Sequence, residues 1–136
     1  MYRNIRNNRI NERKSGGLMT DPNCITIDKN TNSEWETPQY VYNYFNKIYN
    51  FNLDVCANND NHKCNFYYDL KLDALKLPWY GNVWMNPPFK DLKQWIEKAY
   101  FESLTNTEYV VCLLPARTDT IAFHKFCIHG TVCLLK

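Results

Sequence analysis

The sequence of 136 residues predicts a single α/β domain built on a mostly parallel sheet. Segments with helical and strand-like hydrophobic patterns alternate along the chain, as they do in α/β proteins. The strand-like segments are apolar throughout, which is typical of parallel strands covered on both faces. Hydrophobic residues make up 45% of the chain, and 10 Tyr, 7 Phe and 4 Trp are among them. This is enough apolar surface for a core, so a largely disordered chain is excluded.

The first predicted helix begins at Thr37 and Pro38, because threonine is a good N-cap and proline is favoured at the first helical position. Apolar residues then recur at helical spacing to about Tyr49. Residues 53–57 are predicted to form a short buried strand that ends in a run of turn-forming residues. A minor strand is predicted over residues 65–68.

The second half of the chain continues the alternation. Residues 83–85 form a predicted strand that ends at the sequence Asn-Pro-Pro-Phe, because two consecutive prolines neither continue a ladder nor fit inside a helix. The remaining predicted elements are an amphipathic helix over residues 91–104, an apolar strand over residues 109–114, a short helix to about Phe126 capped by Thr118 or Asp119, and a last strand over residues 131–135. Because the last strand lies so near the final residue, we expect a fragment or a domain without its final strands.

Charge divides the chain into two parts. The formal net charge is +2, with +4 over residues 1–14 and −2 over the other 122 residues. We therefore predict a basic, Asn-rich, flexible arm over residues 1–33 and a folded domain over residues 34–136. The arm either follows a phosphate backbone or is a solvated leader, and the sequence leaves both interpretations open.

The cysteines are predicted to be buried free thiols, since several lie in apolar runs and no C-x-x-C pair is present. His62 and Cys64 lie two residues apart without a second pair at ligand spacing, so no metal site is predicted. No apolar run reaches the roughly 18 residues of a membrane span, and the N-terminus lacks a secretory hydrophobic region. These features predict a cytoplasmic protein. The six cysteines are Cys24, Cys56, Cys64, Cys112, Cys127 and Cys133.

The segment Asn86-Pro87-Pro88-Phe89 is the clearest functional signal, because ligands of parallel α/β sheets bind beyond the carboxyl ends of strands. The Asn86 side-chain oxygen and the Pro87 carbonyl are hydrogen-bond acceptors that the double proline holds rigidly. Together they can accept both protons of an exocyclic amine, while Phe89 stacks on the ring that carries this amine. The alternative is a proline-rich turn with a buried phenylalanine.

This segment resembles the catalytic motif of the amino-methyltransferases, which methylate adenine N6 or cytosine N4 with S-adenosylmethionine. Other segments in the same order narrow the resemblance to the small phage-type DNA N-6-adenine methyltransferases over about residues 34–136. They are Trp35-Glu36-Thr37-Pro38, Asp54-Val55-Cys56-Ala57, Asn61-His62-Lys63-Cys64, Asp73-Ala74-Leu75 and Pro115-Ala116-Arg117-Thr118-Asp119-Thr120. The resemblance implies a Rossmann-like S-adenosylmethionine-dependent methyltransferase fold. Asparagine at the first motif position favours adenine N6 over cytosine N4, for which serine is usual.

The resemblance also implies roles for individual residues. Asn86, Pro87, Pro88 and Phe89 would form the catalytic motif that holds and stacks on the target adenine. The residues assigned to the cofactor are Thr37, Pro38, Asp54, Cys56, Ala57 and Asp73. Within this set, Asp54 would hold the amino-acid part or ribose, and Asp73 would accept a hydrogen bond from the adenine amine.

Physical chemistry gives these cofactor residues unequal support. A carboxylate inside an apolar strand is costly without a partner, which favours a functional Asp54. Thr37 and Pro38 alone, in contrast, are more often a helix start than a functional pair.

The predicted partner is double-stranded DNA with the target base flipped out of the helix. Arg117 and Asp119 follow a predicted strand end, where they either contact nucleic acid or cap a helix. The motif also occurs in methyltransferases of other planar amines, so cytosine N4, RNA adenine and protein glutamine remain alternative substrates. A truncated nucleic-acid-binding remnant without activity is a further alternative.

Overall fold

The computed structural model describes residues 36–135, which form a four-stranded parallel sheet with helices on both faces. The sheet order is β2-β1-β3-β4, and the three pairings are all parallel. The elements are α1 (Gln39–Tyr49), β1 (Leu53–Asp54), β2 (Phe66–Tyr67), β3 (Gly81–Met85), α2 (Leu92–Thr105), β4 (Thr107–Cys112), α3 (Ile121–Lys125) and a 3-10 helix (Cys127–His129). The predicted α/β class and parallel sheet are confirmed. The predicted arm, its boundary at residue 33 and Cys24 lie outside the described residues.

Alternate residues of β3 pack into two separate core clusters, one on each face of the sheet. Trp84 pairs in register with Val111 of β4, and both pack in one cluster with Val41 and Phe45 of α1. On the opposite face of the sheet, residues of β3 and β4 pack in a second cluster with α2 and α3; its members include Val83, Met85, Val110, Cys112, Ile96, Ala99 and Phe126. The central strands are therefore covered on both faces, as their continuous apolar sequence predicts.

Helix α1 begins one residue later than predicted. Pro38 rather than Thr37 is the N-cap, because its ψ of 135° is extended and helical geometry starts at Gln39. No side chain caps this end. The cap of α3 also differs from the prediction of Thr118 or Asp119. Thr120 is the N-cap, and its side-chain oxygen accepts a hydrogen bond from the Phe123 backbone N–H.

The predicted strand over residues 131–135 is wrong, since these residues form neither helix nor strand in the described part of the chain. A strand requires a neighbour that takes up its backbone hydrogen bonds, and an apolar run alone does not supply one. Val132 and Leu134 are exposed accordingly. Cys133 is exposed as well, contrary to the predicted burial. Strand β4 ends at Cys112 rather than residue 114, because the prolines after Met85 end its partner strand.

The other described cysteines agree with the prediction of free thiols. Cys64, Cys112 and Cys127 are buried and Cys56 is half-buried, and none of these four forms a disulfide within residues 36–135. The same residues contain no helix that is long and apolar enough to cross a membrane.

Candidate active site

A cavity of about 530 Å³ opens at the carboxyl edge of the sheet. It forms there because β1 and β3 are parallel neighbours, with Asp54 in register with Trp84, so the segments that follow both strands meet at one edge. Residues 54–58 form one part of its lining, and residues 86–90 form another. The volume lies within the range of roughly 300–1,000 Å³ that is usual for small-molecule sites.

The structure brings most of the predicted site residues to this cavity. Those that line it are Thr37, Asp54, Cys56, Ala57, Asp73, Asn86, Pro87, Pro88 and Phe89. Pro38 does not line the cavity and instead caps α1. Arg117 lines a second cavity, of about 240 Å³, to which Asp119 does not contribute. The two residues predicted to contact DNA are therefore not brought to the site of the catalytic motif.

Asp54 is the buried anion of the site, with 3% of its surface exposed. Its Oδ1 accepts a hydrogen bond from the Cys56 backbone N–H at 3.2 Å, and its Oδ2 accepts one from the Lys63 backbone N–H at 3.0 Å. Burial raises the pKa of the Asp54 carboxyl, and these two N–H groups and the Lys63 charge offset only part of that effect. Each carboxylate oxygen has a further lone pair that can accept a hydrogen bond from a ligand.

The raised pKa of Asp54 has a consequence for stability. The folded chain binds this proton more tightly than the unfolded chain, whose aspartates titrate near pH 4. The contribution of Asp54 to the free energy of unfolding is therefore largest below about pH 4 and falls as the pH rises through the pKa in the fold. Urea unfolding between about pH 3.5 and 7 tests this against Asp54→Asn, which does not titrate. The difference in unfolding free energy, wild type minus variant, should decline with rising pH, and a constant or rising difference would contradict the expectation.

Asparagine side chains hold the loop between Asp54 and Lys63. The Asn58 Oδ1 accepts hydrogen bonds from the backbone N–H groups of Asp60 at 2.8 Å and Asn61 at 3.0 Å. In return, the Asn58 N–H donates to the Asn61 Oδ1 at 2.8 Å. Such side-chain turns replace backbone hydrogen bonds in tight loops. They shape this wall of the cavity without the glycine-rich turn that is usual at such a site.

The Asn-Pro-Pro-Phe segment follows β3, and a hydrogen bond holds the backbone of its first residue. The Asn86 backbone N–H donates a hydrogen bond to the Cys56 sulfur, which connects the ends of β1 and β3. Burial raises the pKa of the Cys56 thiol well above its ordinary value, so this sulfur stays uncharged at neutral pH. Pro87 is buried, whereas Phe89 is 57% exposed while lining the cavity. The structural alternative of a buried phenylalanine is therefore wrong.

Two further aspartates lie along the cavity. Asp73 has a left-handed backbone with a φ of 49°, and its carboxylate forms an ion pair with Lys76 at 2.7 Å. Asp69 follows β2, and its Oδ1 accepts hydrogen bonds from the backbone N–H groups of Lys71 and Leu72. The sequence analysis missed Asp69, although its position directly after a strand at the carboxyl edge was the available signal.

The sequence analysis assigned no role to the other lining residues. Five of them, Glu36, Val55, Asn61, Lys63 and Ala74, lie in the segments that carry the family resemblance, and the other six are Asn58, Tyr68, Leu70, Trp84, Lys90 and Trp95. With Glu36 and the three aspartates set against two lysines, the ionisable side chains of the cavity are predominantly acidic. Within residues 36–135, no group of three or more His, Cys, Asp or Glu residues has a metal-binding arrangement.

The fold and the site together define the class of protein. A parallel sheet with helices on both faces, carrying Asn-Pro-Pro-Phe and a buried aspartate at neighbouring strand ends, is that of a Rossmann-like methyltransferase. Residues 25–132 match the family described as DNA N-6-adenine-methyltransferase (Dam). The chain belongs to this family.

Two curated relatives are similar to the chain. The DNA N-6-adenine-methyltransferase of Haemophilus phage HP1 (strain HP1c1) is 32% identical over 106 residues, which is 76% of this chain and 60% of the phage protein. The DNA N-6-adenine-methyltransferase of Escherichia phage T1 is 31% identical over 125 residues, covering 80% of this chain and 52% of the relative. The chain thus spans between half and two thirds of the length of these relatives. No solved structure matches the chain.

Proposed function

We propose that this chain transfers a methyl group from S-adenosylmethionine to N6 of an adenine in double-stranded DNA, in the cytoplasm of a bacterial cell. The observation that carries the proposal is that Asp54 and Asn86-Pro87-Pro88-Phe89 line one cavity at the carboxyl edge of the sheet. Family membership supports the reaction class, since methyltransferases require a methyl donor. The two phage relatives are named for this same reaction.

The residues of the cavity fit S-adenosylmethionine, which carries a cationic sulfonium and an ammonium group. Asp54 supplies a buried acceptor with unused lone pairs, and Asp69 and Asp73 add carboxylates along the same lining. Thr37 is 5% exposed and lines the cavity beside them. When bound, the cofactor supplies an electrophilic methyl group, so that transfer needs neither a metal nor a covalent enzyme intermediate.

The motif acts on the amine of the acceptor base. The nitrogen lone pair of adenine N6 is delocalised into the purine, which makes the free amine a poor nucleophile. The Asn86 Oδ1 and the Pro87 carbonyl accept hydrogen bonds from its two N–H groups, which favours a pyramidal nitrogen whose lone pair is available for reaction. Because the two prolines fix these acceptors in advance, catalysis arises chiefly from positioning and electrostatic complementarity.

The target adenine has to leave the double helix to reach this site, at a cost of about a few kcal/mol. Phe89 can offset part of this cost, because its ring is 57% exposed and lines the cavity. Stacking of a base on an aromatic side chain contributes about 1–3 kcal/mol. The stacking energy that the exposed ring can supply is therefore of the same order as the cost of flipping the base.

The test is methyl transfer from labelled S-adenosylmethionine, with double-stranded DNA, RNA and a glutamine-containing peptide as competing acceptors. We expect label in DNA, recovered as N6-methyladenine after digestion. Label recovered in cytosine, RNA or the peptide instead would contradict the proposal and identify that acceptor as the substrate. Absence of both methyl transfer and saturable cofactor binding would favour an inactive nucleic-acid-binding remnant.

Lys90 is expected to bind a DNA phosphate, since it is an exposed cation that lines the cavity directly after Phe89. Lys90→Ala should weaken DNA binding and lower the slope of log K against log salt by about 1. The measurement is fluorescence anisotropy with labelled DNA at several salt concentrations. Lys47→Ala is the matched control, because Lys47 is an exposed lysine in the last turn of α1, which leads into the amino end of β1. Equal slopes for the two variants would contradict the assignment.

A further inference from the structure

Trp79 lies behind the cavity, completely buried. It lines neither cavity, and its indole N–H donates a hydrogen bond to the Ala74 carbonyl at 2.8 Å. Ala74 is 4% exposed, lines the active-site cavity and follows Asp73 directly. One buried hydrogen bond therefore connects Trp79 to the wall that carries Asp73.

The backbone of Trp79 is held from the other side by α2. Its N–H donates a hydrogen bond to the Glu102 Oε2 at 3.2 Å. Glu102 is 6% exposed, and it also accepts from the Lys98 Nζ at 2.5 Å and the Asn106 Nδ2 at 3.1 Å. Burial raises the pKa of Glu102, but these donors reverse the effect and lower the pKa overall, which keeps the carboxylate charged. A buried carboxylate with three donors is a rigid anchor.

The indole ring makes the third connection. It stacks on Trp95 of α2 with a centroid distance of 6.4 Å and an interplanar angle of 28°. Trp95 lines the active-site cavity, so the ring joins two of its walls, one at Ala74 and one at Trp95. Asp73 has a left-handed backbone, a conformation that non-glycine residues adopt less readily and that contacts with the surrounding structure help to maintain.

We propose that Trp79 is a positioning residue for the cofactor: held by Glu102, it fixes the wall at Asp73 and Ala74 relative to Trp95 and so sets the affinity of the cavity. This inference rests on the proposed function, in which the cavity takes S-adenosylmethionine. It differs from a plain core role, because it requires the indole N–H as well as the apolar ring.

Trp79→Phe tests the proposal, since phenylalanine keeps an aromatic ring and removes the N–H. Calorimetry with S-adenosylmethionine should show a Kd raised by about tenfold, because a buried carbonyl loses its donor and the wall loosens. The kcat at saturating cofactor and the KM for DNA should stay unchanged. Without any ligand, hydrogen exchange of the Lys76 and Leu77 amides, which bond to the Asp73 carbonyl, should become faster.

Phe126→Leu is the matched control, because Phe126 is a buried aromatic residue of the same core cluster that does not line the cavity. It should lower the melting temperature but leave the cofactor Kd and the exchange of the Lys76 and Leu77 amides unchanged. If both variants raise the Kd alike, Trp79 is only a core residue and the proposal is overturned. A wild-type Kd together with wild-type exchange in Trp79→Phe would overturn it equally.

A second variant keeps the test decisive if Trp79→Phe does not fold. Glu102→Gln weakens the anchor while keeping an acceptor for the Trp79 N–H, and it should shift the Kd and the exchange in the same direction by a smaller factor. Wild-type values in this variant would then refute the proposal. If the wild-type chain does not bind S-adenosylmethionine, the proposed function fails, and the ligand-free exchange then decides only whether Trp79 holds the wall at Asp73 and Ala74.

Discussion

Replacing Asn86 with alanine is expected to lower the rate of methyl transfer by about 10²–10³-fold, the usual cost of removing one preorganised polar group that acts in the transition state. Asn86→Ala deletes the side-chain oxygen that is proposed to accept a hydrogen bond from the amine and leaves the Pro87 carbonyl in place. The cofactor Kd should not change, because Asp54 and Thr37 lie on other segments of the lining. Single-turnover transfer of labelled methyl groups to DNA measures the rate, and calorimetry measures the Kd.

Asn82→Ala is the matched control for this experiment. Asn82 is the same residue type near the amino end of β3, the strand that Asn86 follows, and it lines neither cavity. Its Oδ1 is buried without a hydrogen-bond partner among the described residues, and its Nδ2 donates a long, exposed hydrogen bond of 3.4 Å to the Asn50 carbonyl, so little stability is lost with the side chain. This variant should keep the wild-type rate. A rate for Asn86→Ala as high as that of the control would refute the assigned role.

Replacing Asp54 with alanine is expected to abolish saturable cofactor binding and to lower the free energy of unfolding by about 2–5 kcal/mol. The stability falls because the backbone N–H groups of Cys56 and Lys63 lose their acceptor in a buried site. Binding falls because the loop between these residues lines the cavity and the buried anion disappears. Urea unfolding and calorimetry with S-adenosylmethionine measure the two effects.

Asp60→Ala is the control, since Asp60 belongs to the same loop, is exposed and does not line the cavity. Its effect on stability should stay within about 0.5 kcal/mol, as for most surface substitutions. An Asp54→Ala variant that unfolds like this control and binds the cofactor normally would contradict the role given to the buried carboxylate.

The fold was largely predictable because its signals are local. The helical spacing of apolar residues predicts α1 and α2, and the proline pair predicts where β3 ends and why Asn86 lies at the edge of the sheet. The strand predicted over residues 131–135 failed because hydrophobicity shows only that a segment can be buried. Whether a neighbouring strand accepts its backbone hydrogen bonds depends on the rest of the fold.

The site was predictable only in part, for a related reason. Asp54 and Asn86 lie in short segments whose chemistry can be interpreted from the sequence, whereas Asp73 was assigned mainly through the family resemblance. The contact between Glu102 and the Trp79 backbone joins residues that are 23 positions apart in sequence, and no spacing rule predicts it. Lys63 lies in a segment that carries the resemblance, but its contact with the site depends on its N–H, which reaches back to Asp54. Contacts of this kind are set by tertiary packing and become visible only in the folded chain.

The parallel pairing of the strands has a consequence for the order of folding. No two described strands form a hairpin. Leu53 pairs with Val83, and Gly81 pairs with Thr107, so each of these two pairings joins residues that are far apart in sequence. Distant pairings of this kind lose much chain entropy before they gain contacts, which slows the search for the native state. Because the cavity is lined by segments that follow both β1 and β3, it is complete only once these two strands have paired.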